Sequence, residues 1–147
     1  MTNMPLPAAT APVARPPTVL LVDDDAMVMG AVTMLLEDHG FTVIPAGNGI
    51  EALRLYREHK PDLVLTDIIM PEKEGITLIR ELRQEFPEAR IVAMSGGGRI
   101  GNSDYVTIAT ALGADAGLNK PFDDDQLMKT IGALIGTAEA GPQASAA

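Results

Sequence analysis

The chain has 147 residues, one domain's worth, with 46% hydrophobic residues and a formal net charge of −9. Cysteine and tryptophan are absent and aromatics make up 3%, so disulfides and thiolate chemistry are excluded and the core must be aliphatic. The negative charge disfavours nonspecific binding to nucleic acid and to anionic membranes. No apolar run is long enough to cross a bilayer, and the N-terminus lacks the basic-then-apolar pattern of a secretory signal, so a cytoplasmic protein is expected.

Residues 1–17 are rich in Pro, Ala and Thr without periodicity and read as a disordered tail. The expected folded domain is 18–136, and 137–147 read as a second, flexible tail. Val19 to Val22 form a first apolar run, ending at Asp23, Asp24 and Asp25. Val28, Ala31, Val32, Leu35 and Leu36 follow with helical spacing, and Gly40 offers a stop. Phe41 to Ile44 read as a second strand. Asn48 with Glu51 marks a helix start, and Pro61 ends that helix.

Leu63 to Thr66 lead into Asp67 as a third strand. Leu78, Ile79, Leu82 and Phe86 predict a third helix closed by Pro87. Ile91 to Met94 run into Ser95 and then Gly96-Gly97-Gly98. Tyr105, Ile108, Ala109 and Leu112 predict a fourth helix with Gly113 as its stop. Ala116 to Asn119 run into Lys120, and Asp123 caps a fifth helix carrying Leu127, Met128, Ile131, Leu134 and Ile135. Five strands alternating with five helices predict an α/β fold, a parallel sheet covered on both faces.

Parallel strands bring the acids, the hydroxyl and the lysine to one edge, the carboxyl ends, where open α/β sheets bind ligands. Carboxylates crowded together repel unless a cation sits among them, and hard oxygen ligands suit Mg²⁺. Asp67 can serve as a carboxylate nucleophile that forms an acyl phosphate. Ser95 can donate to a phosphoryl oxygen, and Lys120 suits one as a point charge. Each has a plainer reading: Asp25 as a helix cap, Asp67 as a strand end, Ser95 as the start of a glycine loop, Lys120 as a surface lysine. His39 and His59 fall at predicted helix ends and lack ligand spacing, and most methionines read as core or tail residues. The glycine loop lacks the Lys-Ser/Thr of a P-loop.

Asp23-Asp24, Thr66-Asp67-Ile68-Ile69-Met70-Pro71, Met94-Ser95-Gly96 and Asn119-Lys120-Pro121-Phe122, in this order and spacing, resemble the receiver domains of two-component response regulators. The resemblance spans nearly all of the expected domain. It implies a flavodoxin-like doubly wound five-stranded parallel sheet in the order 2-1-3-4-5. It implies that Asp67 accepts a phosphoryl group from a sensor histidine kinase or a histidine phosphotransfer protein. It implies that Asp23, Asp24, Asp67 and the backbone carbonyl of Ile69 hold Mg²⁺, and that Ser95 and Lys120 contact the phosphoryl group. Such a protein is a signalling switch that assists its own phosphorylation and dephosphorylation rather than an enzyme. Its output is a downstream protein the sequence does not name, with no direct role for nucleic acid or membrane. The short remainder after the fifth helix points to a stand-alone receiver.

One position departs from the family. Three residues before Lys120, where an aromatic is common, stands Gly117. The glycine-rich stretch from Gly96 to Gly101 is the expected substitute for that relay. Two other readings remain open. Asp23-x-Asp25 imitates the nucleophile motif of haloacid-dehalogenase-type phosphatases, but lacks the Thr that follows it, places Lys120 too close, and leaves Asp67 idle. A degenerate receiver acting only as a scaffold is the other, and the intact acids, Ser95 and Lys120 argue against it.

Overall fold

The computed structural model describes residues 16–68, 74–96, 107, 109–120 and 122–135. Strands β1 (Thr18–Val22), β2 (Thr42–Ala46), β3 (Leu63–Asp67), β4 (Ile91–Gly96) and β5 (Ala116–Lys120) form one sheet in the order β2-β1-β3-β4-β5, with every pairing parallel. Helices α1 (Ala26–Asp38), α2 (Gly49–His59), α3 (Glu74–Glu85) and α4 (Asp124–Ile135) alternate with them. Residues 107 and 109–112 are also helical, where the fourth predicted helix ends. The flavodoxin-like fold expected from the motifs is the one present.

The strand period of two divides the core into two faces. Leu20, Val22, Val64, Ile91 and Ala93 point to the side covered by Ala52 and Tyr56 of α2 and Leu78, Ile79 and Leu82 of α3. Val19, Leu21, Leu63, Leu65, Val92 and Met94 point to the other, covered by Val32 and Leu36 of α1 and Leu127 and Ile131 of α4. Burial of both strand faces is why these runs read as continuous aliphatic stretches rather than alternating ones.

Local chemistry sets the element ends. Asp25 caps α1 by accepting from the amides of Met27 and Val28. Asn48 Oδ1 accepts from Glu51 N at 2.8 Å to cap α2, and Glu51 Oε1 accepts from Gly47 N, one residue before the cap, at 3.1 Å. Asp123 and Gln126 make the fully reciprocal exchange before α4. Gly113, at φ +131°, takes a conformation side chains rarely adopt, and Arg83 donates through Nε and Nη2 to its carbonyl.

The second strand is displaced from expectation at both ends, while the other strands differ by a residue or two at one end. The second strand starts one residue later and runs on to Ala46: Phe41 N still bonds Leu36 O to close α1, and pairing begins at Thr42, whose amide reaches Pro17 O. Pro45 is accommodated because β2 is an edge strand. The methionines also divide differently, since Met27 (84% exposed) and Met34 (66%) lie on the outside of α1.

Candidate functional site

The parallel register builds the site. Val22 lies opposite Thr66, so the next step along β1 brings Asp23 level with Asp67. Asp67 lies opposite Met94, and one step further Ser95 ends the inward-facing run of β4. Gly96 is opposite Lys120, which places the lysine at the same edge from β5. The buried polar and charged side chains among the described residues are Asp23, Thr66, Asp67 and Ser95, all at this edge.

Burying charge is costly unless it is compensated. Asp23 is compensated twice: Oδ1 accepts from Asp25 N at 2.9 Å, and Oδ2 lies 3.2 Å from Lys120 Nζ. The same ammonium stands 3.7 Å from Asp67 Oδ2. Asp24 is exposed. A carboxylate oxygen from each of Asp23, Asp24 and Asp67 lies within 4.8 Å of the others. Among the described residues, the Lys120 ammonium pairs with two of these three carboxylates, so this group of side chains carries a negative excess. An all-oxygen donor set of this kind, with two members buried and one at the solvent edge, fits a hard divalent cation that keeps some of its water.

Ser95 is fully buried, and its hydroxyl oxygen has no hydrogen-bond partner among the described residues. A buried hydroxyl without a partner carries a desolvation cost of about 1–3 kcal/mol. Thr66, one residue before Asp67, turns its own hydroxyl to the Asp67 carbonyl oxygen at 3.0 Å.

The acids, hydroxyl and lysine singled out in the sequence therefore meet at one edge. Ile69, expected to offer its carbonyl, lies outside the described residues, as do residues 97–101 of the Gly96–Gly101 stretch expected to relay a signal. Gly117 is in place within β5, opposite Ala93. Asp25 spends its carboxylate on the α1 cap and is not in the acidic group. Two residues escaped the sequence reading. Thr66 stood in the Thr66-to-Pro71 motif without a role of its own. Gly75 lies buried in the first turn of α3, where an added Cβ would collide with the backbone of Asp67 and Ile68.

The sequence model of the family described as response regulator receiver domain matches residues 19–132. The chemotaxis protein CheY of Bacillus subtilis is 39% identical over 114 residues, which covers 77% of this chain and 92% of that protein. Protein PilH of Pseudomonas aeruginosa is 36% identical over 117 residues, covering 80% of this chain and 96% of that protein. Among solved structures, a response regulator receiver domain protein from Clostridium thermocellum superposes with a TM-score of 0.74 at 29% identity, over 81% of this chain and 94% of that one. No described helix is long and apolar enough to cross a membrane.

Proposed function

The chain belongs to the response regulator receiver domain family, and from that membership we propose that it is a phosphoacceptor switch whose acceptor is Asp67. The observation that carries the proposal is the meeting, at one sheet edge, of the Asp23–Asp24–Asp67 carboxylates with Lys120 and the unpartnered hydroxyl of Ser95. Phosphoryl transfer needs positioning and charge stabilisation more than covalent chemistry from the protein.

An oxygen of Asp67 attacks the phosphorus of a phosphohistidine on a histidine kinase or phosphotransfer protein. The phosphorus–nitrogen bond breaks, the electron pair leaves on the imidazole, and Asp67 becomes an acyl phosphate. Asp23, Asp24, Asp67 and, as the family resemblance implies, the carbonyl of Ile69 would hold Mg²⁺, which would supply charge neutralisation for the incoming phosphoryl oxygens. Lys120 takes another of those oxygens, exchanging its contact with Asp23 for one with the transferred group. The Ser95 hydroxyl donates to a third and loses its desolvation cost in doing so. That gain exists only in the phosphorylated state, so it biases the protein toward a second conformation of the Ser95 end of β4. The folded switch is assigned to 18–136, flanked by tails at 1–17 and 137–147, and its output is a downstream protein.

The phosphatase alternative draws no support from Asp25, whose carboxylate caps α1 instead of facing the pocket. Incubation of the full chain with phosphoramidate and Mg²⁺, followed by intact mass, tests the reading. One phosphoryl group should be gained and should be absent from Asp67→Asn. Undiminished incorporation by that variant refutes it.

A further inference from the structure

Glycine inside a helix is disfavoured against alanine because it loses more conformational freedom and packs no side chain. α3 nevertheless carries Gly75 in its first turn, at a backbone conformation that an L-residue adopts freely. The reason is space. A Cβ built on Gly75 would overlap the Asp67 carbonyl oxygen and lie 2.5 Å from Ile68 Cα and 3.0 Å from the Asp67 carbonyl carbon. These neighbours are backbone atoms, which cannot swing aside as a side-chain tip can. Gly30 of α1 is the contrast, with nothing within 4 Å of its would-be Cβ.

We propose that Gly75 is a positioning residue for the phosphoacceptor: its bare Cα lets the first turn of α3 rest directly on the backbone of Asp67 and so sets where that carboxylate stands. The inference rests on the proposed role of Asp67. The backbone at Asp67 is held from several sides. Thr66 donates its hydroxyl to the Asp67 carbonyl, and Ile68 N continues the ladder to Met94 O at 3.0 Å. α3 presses on the same backbone through Gly75. The helix cannot simply back away, because Leu78, Ile79 and Leu82 bury it in the core. A methyl group at position 75 would therefore displace the end of β3 and swing Asp67 relative to Asp23, Asp24 and Lys120. Displacements below 1 Å already matter for a group that must attack in line.

The test compares Gly75→Ala and Gly30→Ala with the unmodified full chain, by Mg²⁺ titration and by the rate of labelling with phosphoramidate. Gly75→Ala should retain its helical circular dichroism yet bind Mg²⁺ at least tenfold more weakly and label at least tenfold more slowly. Gly30→Ala should match the unmodified chain in both. Should Gly75→Ala melt at a lower temperature but keep both affinity and rate, the glycine serves packing alone and the inference is overturned. Should that variant not fold, the unmodified protein decides: the Gly75 amide resonance should move when Mg²⁺ and beryllofluoride are added, and an unmoved resonance overturns the inference. If the unmodified chain takes no phosphoryl group at all, it is the role of Asp67 that fails; if it labels well and Gly75→Ala labels equally well, only the role of Gly75 fails.

Discussion

Lys120 and Asp23 are paired at 3.2 Å, closer than the 3.7 Å that separates the same ammonium from Asp67. Asp23 has no access to water to fall back on, while Lys120 is about one-fifth exposed. The lysine thus neutralises the acid beside the proposed phosphoacceptor, and a cation entering the pocket competes with it. Lys120→Met should destabilise the metal-free protein by about 2–3 kcal/mol, under the ~3–5 kcal/mol of a fully buried broken pair. Its affinity for Mg²⁺ should rise about tenfold, so saturating Mg²⁺ should recover up to about 1.4 kcal/mol of the loss. Denaturant unfolding in EDTA and in Mg²⁺ measures both. A deficit of the same size in the two buffers would mean that lysine and metal do not compete.

Asp24 is the exposed member of the acidic group, so removing its side chain opens no cavity in the core. Asp24→Ala should weaken Mg²⁺ binding at least tenfold, about 1.4 kcal/mol. Without metal it should melt at the same or a higher temperature, because repulsion among the carboxylates falls. Calorimetric titration with Mg²⁺ checks the first part and a thermal melt in EDTA the second. Unchanged affinity would remove Asp24 from the ligand set.

The alkaline limb of stability should depend on Tyr56. It is buried against Phe86, ring centroids 4.5 Å apart. Burial pushes its phenol above the ordinary tyrosine value of about 10, helped by the negative charge of Glu88 and Asp62 and opposed by Arg83. A raised folded-state value means the contribution is complete below about pH 10, where both states hold the proton. It is lost as pH climbs through the folded-state value, because the unfolded chain ionises first. Tyr56→Phe should flatten this decline above pH 10 and leave the neutral region little changed. An alkaline unfolding profile identical to that of the unmodified chain would contradict it.

The strand ends were legible because each aliphatic run stops abruptly at a polar residue, and parallel pairing then brings Asp23, Asp67, Ser95 and Lys120 to one edge. The caps at Asn48 and Asp123 were legible from spacing alone. What sequence could not show was contact between residues of unlike pattern. Gly75 carried no signal in the sequence, because its proposed role is steric and depends on how closely α3 approaches β3. The outward direction of Met27 and Met34 was hidden for a related reason. α1 carries no charged side chain from Ala26 to Leu36, so its pattern does not mark which face meets solvent. The relay expected to replace an aromatic at Gly117 runs from Gly96 to Gly101, and all of it after Gly96 lies outside the described residues.

In the proposed switch, Ser95 would hold function at the expense of stability. Its hydroxyl is buried without a partner among the described residues, and relief of such a group by an apolar isostere recovers part of its desolvation cost. Ser95→Ala should therefore stabilise the unphosphorylated protein, by roughly 1 kcal/mol after allowing for the small void left behind. The same change should weaken binding of beryllofluoride with Mg²⁺ about tenfold, since the donor to one phosphoryl oxygen is gone. Ser95→Thr should keep binding, because the hydroxyl remains. Urea unfolding gives the first quantity and fluoride-dependent titration the second. A Ser95→Ala protein that is less stable by more than about 1 kcal/mol would show that the hydroxyl already has a partner in the resting state. Phosphoryl-mimic affinity equal to that of the unmodified chain would remove Ser95 from the proposed contact set.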